Sequence, residues 1–435
     1  MSNEQQQTTE SPRKSGGLFY GWYIVGASVA MNIYLSVAFF QGFQAFFLPI
    51  VNEFGWSRTL MSGAFSLRQL ESGILAPVVG VVVDKWGPRQ VILWGVIVGG
   101  LGLISVSFIT EPWMFYGAFL ITAIGVSGCS HGISWTVAVA NWFHRLRGRA
   151  LGMAYLGPVI GGPLVVTMVL LEEAVGWRQA TVMLGSGLWI VGIPISLIAR
   201  SRPEEYGLRP DGDPPPSTII ADSPTADISV PVQGDVSARS ALRMPSFWLL
   251  SLLFALLGLG VSGVMVHQVP LFQSIGFSAR ESAEIVGLTF FLSGIGRLGA
   301  GALIDRFPAR MVVVAMVLMQ TASYVVLFFT TGTGLLQVVL FCLFYGVAFG
   351  ASIPTRPLII RDLFGSQAFG AINGLAQGIS IALGMVGPLL MGLAYDLTGT
   401  YQPAIALFVV TTAAVLPMVF LLRPAHPSSE PSAPR

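Results

Sequence analysis

The sequence predicts an all-α membrane protein whose twelve transmembrane helices form two six-helix bundles. Three observations carry that prediction: twelve apolar runs long enough to cross a bilayer, a one-sided distribution of basic residues, and an internal repeat with a constant offset. Composition sets the frame. The 435 residues are 53% hydrophobic and only 10% charged, against about a quarter charged in a soluble protein. So much apolar surface cannot be covered in water, and a lipid bilayer is the matching partner. A net charge of +2 gives no sign of nucleic-acid binding. Cys129 and Cys342 lie in apolar stretches without a pairing pattern. They read as small core residues rather than as a redox or metal site.

A hydrocarbon core about 30 Å thick needs about 20 helical residues per crossing. Runs of that kind fall at 20–49, 59–83, 90–109, 113–141, 150–171, 177–199, 246–272, 280–304, 311–330, 333–360, 367–394 and 401–422. Residues 1–19 are polar and show no cleavable signal peptide. The tail 423–435 is rich in Pro and Ser and reads as disordered. Residues 200–245, with Pro214-Pro215-Pro216 and several Asp, read as a linker. It separates an N-terminal bundle, 20–199, from a C-terminal bundle, 246–422. Six crossings on each side place both termini on the same face of the membrane.

Basic residues choose that face, because cytoplasmic loops collect Lys and Arg. With both termini inside, the cytoplasmic set holds Arg13, Lys14, Lys85, Arg89, Arg145, Arg147, Arg149, Arg200, Arg202, Arg209, Arg239, Arg243, Arg306, Arg310, Arg361, Arg423 and Arg435. External loops keep only Arg58, Arg178 and Arg280, and Arg68, Arg297 and Arg356 fall within spans. A multi-pass protein of a plasma or inner membrane is expected.

The repeat fixes the architecture. Gly55-Trp56-Ser57 precedes Gly80-Val81-Val82-Val83-Asp84-Lys85-Trp86-Gly87-Pro88-Arg89. Gly276-Phe277-Ser278 precedes Gly301-Ala302-Leu303-Ile304-Asp305-Arg306-Phe307-Pro308-Ala309-Arg310, and one offset of 221 aligns both stretches. Two bundles related by an axis along the membrane normal, with substrate between them, is a known transporter plan. The segment Gly80 to Arg89 resembles the signature between helices 2 and 3 of the major facilitator superfamily. Its second copy sits between helices 8 and 9. The resemblance implies a gating role for Asp84, Lys85, Arg89, Asp305, Arg306 and Arg310. Physically, Asp84 suits a helix N-terminus, while Lys85 and Arg89 suit anionic lipid or a partner carboxylate.

Within that superfamily the chain is similar to the monocarboxylate transporters and the oxalate/formate antiporters. Tyr20-Gly21-Trp22-Tyr23, the stretch Asn141 to Gly152, and Tyr395-Asp396-Leu397-Thr398-Gly399-Thr400-Tyr401 carry the similarity. It implies alternating-access transport of small monocarboxylates such as lactate or pyruvate, by proton-coupled symport. It also implies a substrate-binding arginine in helix 8, at the depth of Arg297. The chain departs from both families. Ser293 stands where animal-type relatives keep an acid, Gln41 and Gln44 stand where they keep a lysine, and helix 11 has no lysine.

Charges inside a membrane are expensive and therefore informative. Arg297 lies about 12 Å from the inner end of helix 8, and a guanidinium binds a carboxylate through two parallel hydrogen bonds. The alternative is a snorkelling or internally paired arginine. Gly294, Gly296 and Gly299 leave room for a ligand or a close helix. His131, near the middle of helix 4, suits a proton or substrate contact, or simply packing. Glu71 is the deepest acid and can carry a coupled proton, or can pair with Arg68 three residues away. Arg356 is a second carboxylate ligand or a snorkelling arginine. Tyr116, Asn32 and Tyr345 are further substrate-contact candidates, with Asn373 and Gln377 behind them, and each suits interhelical bonding equally. His267, near the outer end of helix 7, is expected to be solvated. The sequence contains no metal-ligand cluster, phosphate loop or nucleophile–base pair, so no cofactor and no enzyme activity are expected. Other readings are an antiporter of dicarboxylates or formate-type anions, an exporter of amphipathic compounds, and a non-transporting receptor on the same fold.

Overall fold

The computed structural model describes residues 19–130, 132–212, 238–304, 306–332, 334–365 and 368–422. Arg13, Lys14, His131, Pro214-Pro215-Pro216, Asp305, Arg423 and Arg435 lie outside them. All regular elements among the described residues are helical. The crossings are α1 (Tyr20–Phe54), α2 (Arg58–Trp86), α3 (Pro88–Val106) and α4 (Pro112–Trp142), then one continuous stretch Arg147–Ile198. After the linker come α7 (Pro245–Ile275), α8 (Ala279–Ile304), α9 (Ala309–Phe329), α10 (Leu335–Phe364), α11 (Phe369–Thr398) and α12 (Gln402–Leu421). The continuous stretch has 52 residues and as a straight helix would run about 78 Å. Gly176, at φ 76° and ψ 157°, reverses it. It therefore makes two crossings, α5 (147–175) and α6 (177–198), and the total is twelve.

The repeated Gly-x-Ser stretches are helix-to-helix turns. Gly55 (φ 66°) and Gly276 (φ 117°) end α1 and α7 in the left-handed region that only glycine adopts cheaply. The serine two residues on then caps the next helix. Ser57 Oγ accepts from the Leu60 N–H at 3.1 Å, and Ser278 Oγ accepts from the Glu281 N–H at 3.2 Å. Glu281 closes a capping box by accepting from the Ser278 N–H at 2.8 Å. Helices α2 and α8 consequently start at 58 and 279, the repeat's own offset. At the next turn the copies differ, because Gly87 (φ 80°) is matched by Pro308 (φ −53°).

Six crossings pack on each side of a central seam. We use "linker end" for the side of Ile198 and Pro245, and "far end" for the opposite side. Along α2 and α11 the halves touch from the far end to mid-depth. The contacts run from Arg58 and Thr59 on Asp396, through the Ser66 hydroxyl on the Met385 carbonyl at 2.6 Å, to Gly73 beside Ile381. Past Gly73, α2 turns outward to solvent or lipid, with Ile74 62% and Val78 53% exposed. Opposite, a Cβ at Gly374 or Gly378 would meet nothing within 4 Å. The gap between the halves therefore widens toward the linker end.

The first part of the linker is a strap across the linker end of the N-terminal half. The Arg200 guanidinium sits between the Tyr20 and Tyr206 rings, 4.1 and 4.0 Å from their centroids. Asp211 accepts from the backbone N–H groups of His144, Arg145 and Leu146 at 3.0, 2.8 and 3.2 Å. Burial pushes the Asp211 carboxyl up, but these donors and the Arg145 charge outweigh it and hold it below the ordinary carboxylate value. A depressed carboxylate stabilises above its unfolded pKa, and that contribution disappears as pH falls through the lower folded value. Asp211→Asn keeps a residue that tolerates the left-handed φ of 60° but removes the charge. Amide exchange at 144–146 is expected to speed up about ten-fold at neutral pH, with the difference fading only as pH falls below the ordinary Asp value and through the lower folded one. Exchange mass spectrometry checks it, and equal rates at neutral pH would remove the strap's role.

Candidate functional site

A cavity of about 320 Å³ lies in the seam, beneath the closed far end. Helices α1, α2, α7, α9, α10 and α11 line it, so both halves contribute. Its walls are largely apolar, with Phe40 and Phe65 on one side and Phe254 and Phe349 on the other. Two cations face it, Arg68 from α2 and Arg356 from α10, and no acid is among its described lining residues. Arg68 lies ten residues into α2 from the far end, and Arg356 eight residues from the linker end of α10. At 1.5 Å per residue the two are about 15 Å and 12 Å from opposite ends, so they stand at different depths.

Neither guanidinium is fully satisfied by the described residues. Arg68 leans on aromatic faces, 5.1 Å from the Phe40 centroid and 5.7 Å from Phe39, and receives no hydrogen bond partner among the described residues. Arg356 Nε is buried without a partner, as is Gln320 Nε2 on the same cavity. The wall hydroxyls are already engaged: Ser352 donates to the Phe349 carbonyl at 2.7 Å, and Ser380 to Ala376 at 2.9 Å. The buried side-chain atoms left unpartnered on this wall, Arg356 Nε and Gln320 Nε2, are both donors, and unpartnered donors in an apolar pocket suit an anion with a hydrophobic body. Arg356 sits in a turn of α10 bracketed by two prolines. Pro354 and Pro357 flank it inside α10, and prolines in a helix free carbonyls and loosen the turn.

Glu71 occupies a smaller chamber of about 90 Å³ that shares Arg68 and Phe40 with the main cavity. Its carboxylate accepts from Ser127 Oγ at 3.0 and 3.3 Å. Arg68 and Glu71 form no ion pair; among the described residues, Arg178–Glu53 and Arg280–Glu284 do. In place of the alternative pairing with Arg68, the acid is held by a serine. Helix α4 is interrupted beside this chamber, its segments being Pro112–Cys129 and Ile133–Trp142. His131 falls in the interruption, outside the described residues.

Several expected contacts lie elsewhere. Arg297 is not on the cavity: it faces α5, where Nη1 donates to the Tyr155 carbonyl at 3.2 Å. Its depth follows from helix rise, but its direction is set by the packing of α8. Gly296 in α8 lies against the Val347 carbonyl of α10, and Gly294 against Val159 of α5. These glycines serve close helix approach. Tyr116 donates to the Leu60 carbonyl at 2.8 Å and Tyr345 to Val261 at 2.9 Å. Asn32 donates to Ser28 at 2.7 Å. All three tie helices internally or to neighbours, off the cavity. Gln377 does line it, whereas Asn373 does not. Asp84, Lys85, Arg89 and Arg306 are exposed, and Arg310 Nε donates to the Val419 carbonyl at 3.0 Å. His267 overturns its expectation outright, since it is fully buried between the halves. Gln69 and Gln320 are polar cavity residues that sequence reading missed; a polar side chain amid an apolar helix was the available signal.

Twelve crossings in two bundles around a shared cavity define a polytopic membrane transporter. A family model described as Major Facilitator Superfamily matches residues 30–385 and 269–435. The chain belongs to that superfamily. Among curated relatives it is 24% identical to monocarboxylate transporter 12 of Xenopus laevis, over 94% of this chain and 89% of that protein. It is 23% identical to monocarboxylate transporter 7 of Homo sapiens, with the same two coverages. Among solved structures, a bacterial homolog of the human lysosomal transporter Spinster, inward-facing and occupied, superposes with a TM-score of 0.71. That match has 15% identity and covers 94% of this chain and 97% of that one. The nucleoside transporter NupG gives 0.73 at 12% identity, covering 93% and 99%.

Proposed function

We propose that this protein moves small monocarboxylates, of lactate or pyruvate type, across a cell membrane by alternating access, in symport with protons. The observation that carries the reading is the pair Arg68 and Arg356, unpaired donors on one cavity whose described lining holds no acid. A carboxylate satisfies both a guanidinium fork and the charge balance of a low-dielectric site. The curated relatives that are monocarboxylate transporters support the class. Because one arginine belongs to each half, a bound anion favours closing the linker end around itself. Glu71 is the candidate for the transported proton, held by Ser127 and sharing its chamber with Arg68; His131 is the other. The exposed Asp84, Lys85, Arg89, Arg306 and Arg310, with Asp305, form the linker-end gate. The basic-residue bias puts that end and both termini in the cytoplasm.

Two cations at different depths also favour a second reading, exchange of dicarboxylates. Radiolabelled lactate, pyruvate and succinate uptake into proteoliposomes, with and without an inward proton gradient, tests both. Gradient-stimulated monocarboxylate uptake supports symport. Uptake that requires preloaded dicarboxylate supports exchange. Absence of flux for every anion, with saturable binding, would point to a receptor instead.

A further inference from the structure

The far end is closed by a polar network that joins both halves and centres on His267. His267 of α7 is 0% exposed. Its Nε2 lies 2.7 Å from Ser62 Oγ of α2 and 3.1 Å from the Pro388 carbonyl of α11. Its Nδ1 lies 3.1 Å from the Tyr401 hydroxyl, at the start of α12. The remaining partners constrain the protons. Ser62 donates its own hydrogen to the Arg58 carbonyl at 2.6 Å, so toward His267 it can only accept. The Pro388 carbonyl is also only an acceptor. Nε2 must therefore carry a hydrogen. Tyr401 already accepts from Arg58 Nη1, which leaves its hydroxyl hydrogen available to Nδ1, and in that arrangement Nδ1 is bare. The closed far end thus requires neutral imidazole in one tautomer.

The surroundings sharpen that requirement. The charged groups facing His267 are Arg58, from α2, and Asp396, from α11. Asp396 is itself occupied by the Arg58 and Thr59 backbone N–H groups at 3.0 and 2.8 Å. Arg58 lies 3.4 Å from the Tyr395 centroid. From α1 the facing group is Phe47, an uncharged ring 5.1 Å away. A hydrogen on Nδ1 would compete with Arg58 Nη1 for the Tyr401 oxygen and add a positive charge near Arg58.

We propose that His267 is a proton-binding sensor that unlatches the far end, rather than the site of the transported proton. A proton taken up there sets a second N–H against the Tyr401 hydroxyl that Arg58 grips from the other half, and a second cation beside Arg58, so that cross-half contact weakens and the two halves part. By linkage, acid favours the far-end-open state in proportion to the imidazole's protonation once it is exposed. In the closed state the ring is sealed from the linker end, so its proton returns to the side it came from. This inference rests on the contacts alone and holds whatever the substrate.

An exposed imidazole titrates near pH 6.5. If the closed state accepts no proton, lowering pH from 8 to 5 multiplies the opening equilibrium by about 30-fold. Full-length protein in nanodiscs, with Cys129 and Cys342 replaced by alanine, would carry spin labels at Glu111→Cys and Thr331→Cys, exposed far-end positions in opposite halves. Electron–electron resonance distances should show the longer population growing by about that factor on acidification, with His267→Gln showing no pH response. A flat wild-type titration, or an equal response in His267→Gln, overturns the proposal. Nitrogen-15 imidazole spectra of the parent protein give an independent check. The closed state must show neutral imidazole protonated at Nε2, and an imidazolium signal in that state overturns the proposal even if the variant fails to fold.

Discussion

Arg356→Ala is expected to lower carboxylate uptake by about 100-fold, and Arg68→Ala by a similar factor. Each variant removes one guanidinium from the cavity and leaves the anion facing an apolar wall. Loss of a buried charged hydrogen-bond partner costs about 2–5 kcal/mol, and about 2.8 kcal/mol corresponds to a hundred-fold change. Neither arginine has an ion-pair partner among the described residues, so removing it strands no described acid in a direct bridge. The loss should therefore appear in transport more than in folding. Lysine at position 356 restores charge but not the planar fork, and should recover only part of the rate. Arg297→Ala is the informative comparison, because its guanidinium faces Tyr155 instead of the cavity. It should lose less than either. Initial uptake rates in proteoliposomes, normalised to protein reconstituted, decide the ranking. A full loss at Arg297 with normal rates at Arg356 would move the anion site to α8.

Gly350→Leu is expected to abolish the folded protein. A Cβ at Gly350 in α10 would land on the Ser293 carbonyl oxygen of α8, and one at Gly346 would land 2.6 Å from the Thr289 carbonyl. These glycines set the distance at which α8 and α10 pack. Backbone cannot move aside as a flexible side chain can, so overpacking should cost about 3 kcal/mol or more, a large part of a typical stability. Gly370→Ala, where nothing lies within 4 Å, should keep or raise the melting temperature through its better helix propensity. Thermal unfolding and gel filtration in detergent separate the two outcomes. Equal behaviour would mean the α8–α10 contact is not close-packed.

Much of the fold was legible along the chain. Apolar run length gave twelve crossings, and the helix starts at 58 and 279 obey the 221-residue offset that Gly55-Trp56-Ser57 and Gly276-Phe277-Ser278 display. Those turns are local chemistry: a left-handed glycine followed by a capping serine needs no partner from afar. Depth was legible too, since helix rise alone puts Arg68, Arg297 and Arg356 inside the membrane.

Facing was not. These crossings are apolar all round, so no polar stripe records which side looks inward. Arg297 sits at a suitable depth, yet Gly296 and Gly350 draw α8 onto α10 and turn the arginine toward α5. Arg356, left open between ligand and snorkelling side chain, reaches the cavity. His267, read as solvated from its nearness to a helix end, is buried because α2, α11 and the start of α12 converge on it. The sequence by itself determined how many helices cross, where they turn and how deep each charge lies, because rise, length and capping are local properties. The tertiary structure alone decided which charges share a cavity, because azimuth and cross-half contact depend on helix packing, which a uniformly apolar helix does not encode.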